Sequence, residues 1–307
     1  MPFLTREPDS TGSELRRGRS DSALGPVPVM FLNQSLIGRC ANPDCRSSWL
    51  HLFRKRSAPV FEGGWTCSPE CTETRMVKAL HRELDDRTPA QQMHRHRIPL
   101  GLLMLEQGWI SSGQLRDALQ AQRASGSGRL GDHLIRQGST DEGTVTRALG
   151  LQWSCPVLSA ESHQPAALAS MMPRLFVDAF GALPLRVAGG RLLYLGFEQC
   201  LDPVLAFSIS RMTGLQVESG IVPSSLFVSA RDRMLMQEFP PVQLAEAVSE
   251  SAAAGLLARC VERLQPAASR LVRVHECVWL RMWCARQAEA IPRLTSVSDV
   301  ICSLACF

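Results

Sequence analysis

The sequence predicts a multidomain α+β protein, and three features carry that reading. These are two close cysteine pairs near the N-terminus, an ungapped helical repeat of period 30, and the strand-like runs that follow it. Four units are expected: a small four-cysteine zinc finger with a helix over 37–88, a helical-hairpin repeat subdomain over 95–155, a small α+β subdomain over 156–230, and a C-terminal helix plus β-hairpin over 240–290. Residues 1–36 read as a disordered tail, because they are rich in Ser, Gly, Pro and charge and offer no periodic apolar face; residues 291–307 read as a second tail.

The chain is large enough for this division. Its 307 residues are 45% apolar, which fills several cores, and 33 Lys+Arg against 29 Asp+Glu leave a net charge of only +4, so composition does not demand a nucleic-acid partner. The opening Thr5-Arg6-Glu7-Pro8-Asp9 lacks the basic run and apolar stretch of a secretory signal, and the best apolar run, Cys277 to Trp283, is broken by Arg281 and falls well short of the roughly 20 residues of a membrane helix. Of eleven cysteines seven are scattered singly, which suits a reducing compartment, so a cytoplasmic protein is expected.

The other four cysteines form Cys40-Ala-Asn-Pro-Asp-Cys45 and Cys67-Ser-Pro-Glu-Cys71. A turn and a helix start together present four thiolates, the donor set of a closed tetrahedral zinc site, so Cys40, Cys45, Cys67 and Cys71 are the expected ligands. Ser68 is a good N-cap and Pro69 a good first helical residue, and a helix follows from Pro69 to about Leu84. The arrangement resembles a treble-clef finger. Four thiolates leave no position open for water, so the zinc is expected to be structural, supplying folding energy to a segment with little core.

The repeat follows. Pro99-Leu-Gly-Leu-Leu-Met-Leu-Glu-Gln-Gly108 aligns with Arg129-Leu-Gly-Asp-His-Leu-Ile-Arg-Gln-Gly138, and Gly113, Ala118, Leu119 and Gln122 recur as Gly143, Ala148, Leu149 and Gln152. Each copy reads as a helix stopped by glycine and a second helix capped by Ser111 or Ser112 in copy one and by Thr140 in copy two.

This spacing of Leu-Gly, Gly, Leu, Ala-Leu and Gln resembles the paired motif in the N-terminal regulatory region of the type II secretion and type IV pilus assembly ATPases. Leu183-Pro-Leu-Arg, the strand Leu192 to Gly196, Asp202-Pro203 and Thr213-Gly214-Leu-Gln-Val are similar to that region's second subdomain, so the likeness covers about 97–228. The resemblance implies cyclic di-GMP as a ligand, with Leu100, Leu115, Leu119, Leu130, Leu134 and Leu149 as the apolar bed, Gly101 and Gly131 allowing close backbone approach, and Arg129, Gln122 and Gln152 as polar contacts. Copy one departs from the motif: its opening residue is Pro99 instead of Arg, and Arg97 is the nearest substitute.

Downstream, Gly181 to Val187 and Arg191 to Gly196 flank Ala188-Gly189-Gly190 as a hairpin, and Pro203 to Met212 reads as a helix ending near Gly214. Residues 241–264 read as a helix with apolar positions at Leu244, Val248, Leu256, Leu257 and Val261, followed by an alternating stretch around Leu271 to Trp283. No G-x-x-x-x-G-K-[ST] phosphate loop occurs, and no nucleophile, base and acid constellation stands out, so no enzymatic activity is expected.

Two function classes fit: a regulatory or adaptor protein sensing cyclic di-GMP through residues 99–152, or a purely structural docking module of a secretion or pilus-type machine without a nucleotide ligand. Nucleic-acid binding through Arg54-Lys55-Arg56 ranks below both.

Overall fold

A computed structural model describes residues 40–46, 59–85, 97–161, 163–285 and 290–304. The tail expected over 1–36 and the run Arg54-Lys55-Arg56 lie outside the described residues.

The described chain begins at the cysteines and continues into a two-stranded hairpin, β1 (Val60–Phe61) and β2 (Gly64–Trp65), turned by Glu62 and Gly63 at positive φ. Helix α1 (Pro69–Asp85) starts as Ser68-Pro69 predicts: the Cys71 amide donates to Ser68 Oγ at 3.3 Å. Its buried Met76, Ala79, Leu80 and Glu83 recur at helical spacing and define one inward stripe.

The repeat forms two helical hairpins, α2 (Leu100–Glu106) with α3 (Ser112–Ser125) and α4 (Leu130–Arg136) with α5 (Glu142–Trp153). Gly108 and Gly138, at φ +70° and +66°, take the left-handed position after α2 and α4. Ser111 caps α3 in a reciprocal box with Gln114. In copy two the cap is Asp141 and not Thr140: its carboxylate accepts from the Thr144 amide at 2.8 Å. Asp141 is the residue equivalent to Ser111, so the repeat register predicts the cap better than residue type does. Met104, Ile110, Leu115, Ala118, Leu134, Val145 and Ala148 make the hairpins' shared core.

The α+β subdomain follows through α6 (Pro165–Leu168), a 3-10 turn (Ala169–Met171) and α7 (Arg174–Asp178). Strands β3 (Leu183–Ala188) and β4 (Leu192–Phe197) form the expected hairpin across Gly189 and Gly190, both at positive φ. Helix α8 (Pro203–Thr213), capped by Asp202 and closed by Gly214, crosses to β5 (Gln216–Ile221), which pairs parallel to β4, and α9 (Ser224–Leu235) completes the unit.

The C-terminal part differs from the sequence expectation. Residues 242–247 form strand β6 (Val242–Ala247), and the helix, α10 (Glu250–Leu264), begins only after Ser249, whose side chain accepts from the Ala252 amide. Leu244 and Val248 are therefore exposed and do not join Leu257 and Val261 on a buried helical face. Strands β7 (Ala268–Val274) and β8 (Cys277–Trp283) make the expected hairpin, with His275 and Glu276 in its turn. The stretch read as a tail from 291 contains a 3-10 turn (Leu294–Ser296) and β9 (Val297–Leu304), which sits between β6 and β8 in a four-stranded sheet of order β6-β9-β8-β7. Interior placement between two strands stabilises β9, and that neighbourhood is invisible in a short terminal run.

This sheet is covered on both faces. Leu271, Val278, Leu280, Val300 and Cys302 pack with α1 and α10, while Val272, Val274, Trp279 and Ile301 join the core of the α+β subdomain. The four-cysteine segment is consequently built into the C-terminal body. The Val60 amide donates to the Pro266 carbonyl and Glu62 to Ser269, which sets β1 alongside β7. Thr66 and Thr72 share a hydrogen bond at 2.7 Å, and Thr72 donates to Glu262 of α10. Fully buried Glu83 accepts both guanidinium nitrogens of Arg211 at 2.7 and 2.8 Å and the Arg273 amide at 3.1 Å, tying α1 to α8 and β7.

A second tie joins the β7–β8 turn to the cap of α8. His275 Nε2 lies 2.7 Å from Asp202 Oδ2, and its ring stacks on Phe180. The carboxylate raises the His275 pKa against the opposing effect of burial, with Glu276 assisting and Arg273 opposing. Burial raises the Asp202 pKa, but His275 and the Leu205 and Val204 amides outweigh it and hold the carboxyl below its ordinary value. The histidine's contribution is complete below its unfolded pKa of about 6.5 and fades as pH rises through the raised folded value; the aspartate's is complete above about 4 and fades as pH falls through the lowered one. The stability difference between the wild type and His275→Asn, from urea midpoints, is therefore expected to be largest between about pH 4 and 6.5 and to shrink on the alkaline side.

Candidate functional site

Two arrangements concentrate chemistry. In the first, the sulfurs of Cys40, Cys45, Cys67 and Cys71 all lie within 4.8 Å of one another, with Cys45 to Cys67 at 3.5 Å and Cys67 to Cys71 at 3.6 Å. Four sulfurs about 2.3 Å from a tetrahedral centre are about 3.8 Å apart, so the donor set has the size of a closed four-thiolate site. Burial raises the Cys40 and Cys67 thiol pKa values. At Cys71 burial acts in the same direction but is outweighed by hydrogen bonds from Asn42 and Ser68 and the neighbouring thiols, which lower it.

Two further residues fit a negatively charged centre. The Asn42 amide donates to Cys71 Sγ at 3.4 Å, and the Arg75 guanidinium interacts with the charges of Glu62 and then Cys40, its Nη2 donating to the Glu62 carbonyl and its buried Nη1 having no hydrogen-bond partner among the described residues. The Arg75 charge, already facing Glu62, also favours thiolates over neutral thiols at Cys40 and partly offsets the net charge of −2 of four thiolates around a divalent ion. The sequence reading missed Asn42 and Arg75. Asn42 is legible as the asparagine inside the first cysteine pair, whereas Arg75 gives no signal before folding.

The second arrangement is the repeat. The side chain of Gln152, on α5, donates to the Ile98 carbonyl at 2.7 Å, and that of Gln122, on α3, donates to the Gly128 carbonyl at 2.9 Å. Ile98 and Gly128 are 30 residues apart, as are the two glutamines, so each lead-in segment is braced at the same position by the same motif residue. The cations sit beside these braces: the Arg97 guanidinium carbon lies over the Trp153 ring, 3.1 Å from its centroid, and Arg129 makes an ion pair with Glu198 Oε1 at 2.6 Å. Trp153 and Glu198 are two participants that the motif did not reveal.

The apolar residues divide into two groups. Leu115 and Leu134 are buried in the repeat core, while Leu100, Leu119, Leu130 and Leu149 are half-buried around it, and Leu149 also touches the α+β core. Gly101 and Gly131 are buried and serve packing. A Cβ on Gly101 would lie 2.6 Å from Leu115 and 2.9 Å from Leu130, and one on Gly131 would lie 2.8 Å from Val145, the equivalent of Leu115. Leucine tips can move aside and a valine methyl fixed at Cβ cannot. Gly131→Ala is therefore expected to cost about 1 kcal/mol net of its gain in helix propensity, and Gly101→Ala less, by denaturant midpoints.

No family model matches the chain. In sequence it resembles the type IV pilus assembly ATPase PilB of Myxococcus xanthus (strain DK1622), 24% identical over 148 residues, which are 47% of this chain and 25% of that one. The chain thus spans about a quarter of the length of that relative. Among solved structures it is similar to MshE with cdg, at 29% identity, 45% of this chain, 99% of that one and a TM-score of 0.36. The N-terminal domain of XpsE compares at 18% identity, 48% and 97% coverage and a TM-score of 0.32. The chain is thus similar to part of a pilus assembly ATPase and to an N-terminal domain. The particular relatives, PilB, MshE and XpsE, are what this chain is similar to.

Proposed function

We propose that this chain is a non-catalytic regulatory or adaptor protein that binds cyclic di-GMP through the 99–152 repeat and acts on a component of a secretion or pilus-type machine in the cytoplasm. The observation that carries the reading is the equivalence of the two braces, Gln122 on Gly128 and Gln152 on Ile98, each next to a cation, Arg129 paired with Glu198 in one and Arg97 over Trp153 in the other. A ligand with two purines and two phosphates calls for two such half-sites, with guanidinium for phosphate or base face and leucine for the ring. Copy one supplies Arg97 in place of the residue that Pro99 replaces, stacked on Trp153 as a platform of purine size.

In this reading Cys40, Cys45, Cys67 and Cys71 hold a structural zinc, which supplies folding energy by fixing the cysteine turn to the start of α1. Among the described residues no helix is long and apolar enough to cross a membrane. A docking role without nucleotide draws on the exposed Ile98, Leu102 and Leu151 of the same subdomain. A thermal-shift series separates the two. Cyclic di-GMP at about 100 times its Kd stabilises a binding protein by about 2.7 kcal/mol, and the docking reading predicts no shift.

A further inference from the structure

The two half-sites are chemically equivalent but differently engaged. In copy one Arg97 stacks on an indole and meets no carboxylate among its described contacts; in copy two Arg129 is held by Glu198, at the end of β4 in the α+β subdomain. Glu198 Oε1 also accepts from Ser224 Oγ at 2.6 Å, at the start of α9. Beside it, Glu142 of α5 accepts from the Ser225 amide and hydroxyl, both at 2.7 Å. The copy-two hairpin is thus fastened to the α+β subdomain by two carboxylates, and one of them occupies the cation that an anionic ligand needs.

We propose that Glu198 is an internal competitor for Arg129, so that a phosphate arriving at copy two displaces a carboxylate already bound there and loosens the hairpin from the start of α9. This rests on the nucleotide reading of the repeat. The pair is made through Nη1 alone, so a phosphate that takes Arg129 bidentately through that nitrogen displaces the carboxylate, and one held by the remaining nitrogens lies beside the Glu198 charge and is repelled by it. Binding at copy two therefore costs the Arg129 to Glu198 pair, while binding at copy one costs no ion pair. Arg129 is half exposed, so the pair is a modest one and the gate is correspondingly soft.

The test is isothermal titration of the full chain with cyclic di-GMP for the wild type, Glu198→Gln and Ser224→Ala, with hydrogen exchange of the same three proteins without nucleotide. Ser224→Ala removes the other hydrogen bond of Glu198 and leaves the ion pair, so it separates the competitor role from a simple supporting role at α9. Glu198→Gln is expected to tighten binding by about fivefold and to speed exchange around Arg129 to Leu134, while Ser224→Ala leaves affinity unchanged. Wild-type binding that is equal or weaker in Glu198→Gln overturns the competitor and leaves the nucleotide reading standing. Absence of heat in all three proteins overturns both. Equal shifts in Glu198→Gln and Ser224→Ala also overturn it, because α9 support then accounts for the effect.

Discussion

Chelation of the zinc proposed for the four-cysteine site is expected to unfold more than the cysteine segment. Structural zinc in small peptides contributes on the order of 10 kcal/mol, comparable with the whole stability of a domain, about 5–15 kcal/mol. The segment is wired into its surroundings by β1 against β7, by Thr66 to Thr72 and Thr72 to Glu262, and by Glu83 to Arg211 and Arg273. Helix α1 also covers one face of the four-stranded sheet, with Met76, Ala79 and Leu80 in the same core as Leu257, Leu280 and Val300. Loss of the ion should therefore expose amides in α10 and β7 together with those of α1, as read by hydrogen exchange with and without a strong zinc chelator. Cys71→Ser should reproduce the pattern. Loss of protection confined to residues 40–67 would show a module that folds apart from the sheet.

Asp299→Ala is expected to cost about 3–5 kcal/mol, enough to bring a domain of ordinary stability close to unfolding. Asp299 is fully buried in β9 and accepts from Trp279 Nε1 at 2.7 Å and from Arg281 Nε and Nη2, both at 2.8 Å; Arg281 Nη1 donates to the Met171 carbonyl at 2.7 Å. Removing the carboxylate leaves a buried guanidinium without its counter-charge and an indole N–H without an acceptor, and both penalties apply in full. Urea midpoints at constant slope measure the loss. Asp299→Asn keeps an acceptor but not the charge and should fall between. The double change Arg281→Met with Asp299→Leu should recover part of the loss, because it removes the unpaired charge altogether.

The same pair explains what the sequence hid. Arg281 reads as an interruption of an apolar run and Asp299 as a polar residue in a tail, and only the pairing of β8 with β9 makes them one buried unit. The order β6-β9-β8-β7 places the last strand inside the sheet, a long-range arrangement that local pattern does not encode. Leu244 and Val248 matched a helical period by coincidence: Leu244 lies on the edge strand β6 and Val248 in the bend between β6 and α10, and both are exposed. What local chemistry dictates was legible: the Ser68-Pro69 helix start, the Gly189-Gly190 hairpin, the helix from Pro203 with its Gly214 closure, and the two hairpins of the repeat. In the site, Gln122, Gln152, Arg129 and Arg97 lie at the two lead-in segments, but Glu198 and Trp153 came from outside the motif, and Gly101 and Gly131 serve packing.

Whether the repeat takes a nucleotide is decided by isothermal titration of the full chain with cyclic di-GMP beside Arg129→Ala and Gln152→Ala. The expected result is saturable heat in the wild type that weakens in both variants, about tenfold or more for loss of a charge-assisted contact worth about 1.5–3 kcal/mol. Absence of heat at ligand concentrations well above micromolar, with the three proteins folded alike, would rule out nucleotide binding and leave the repeat as a docking scaffold.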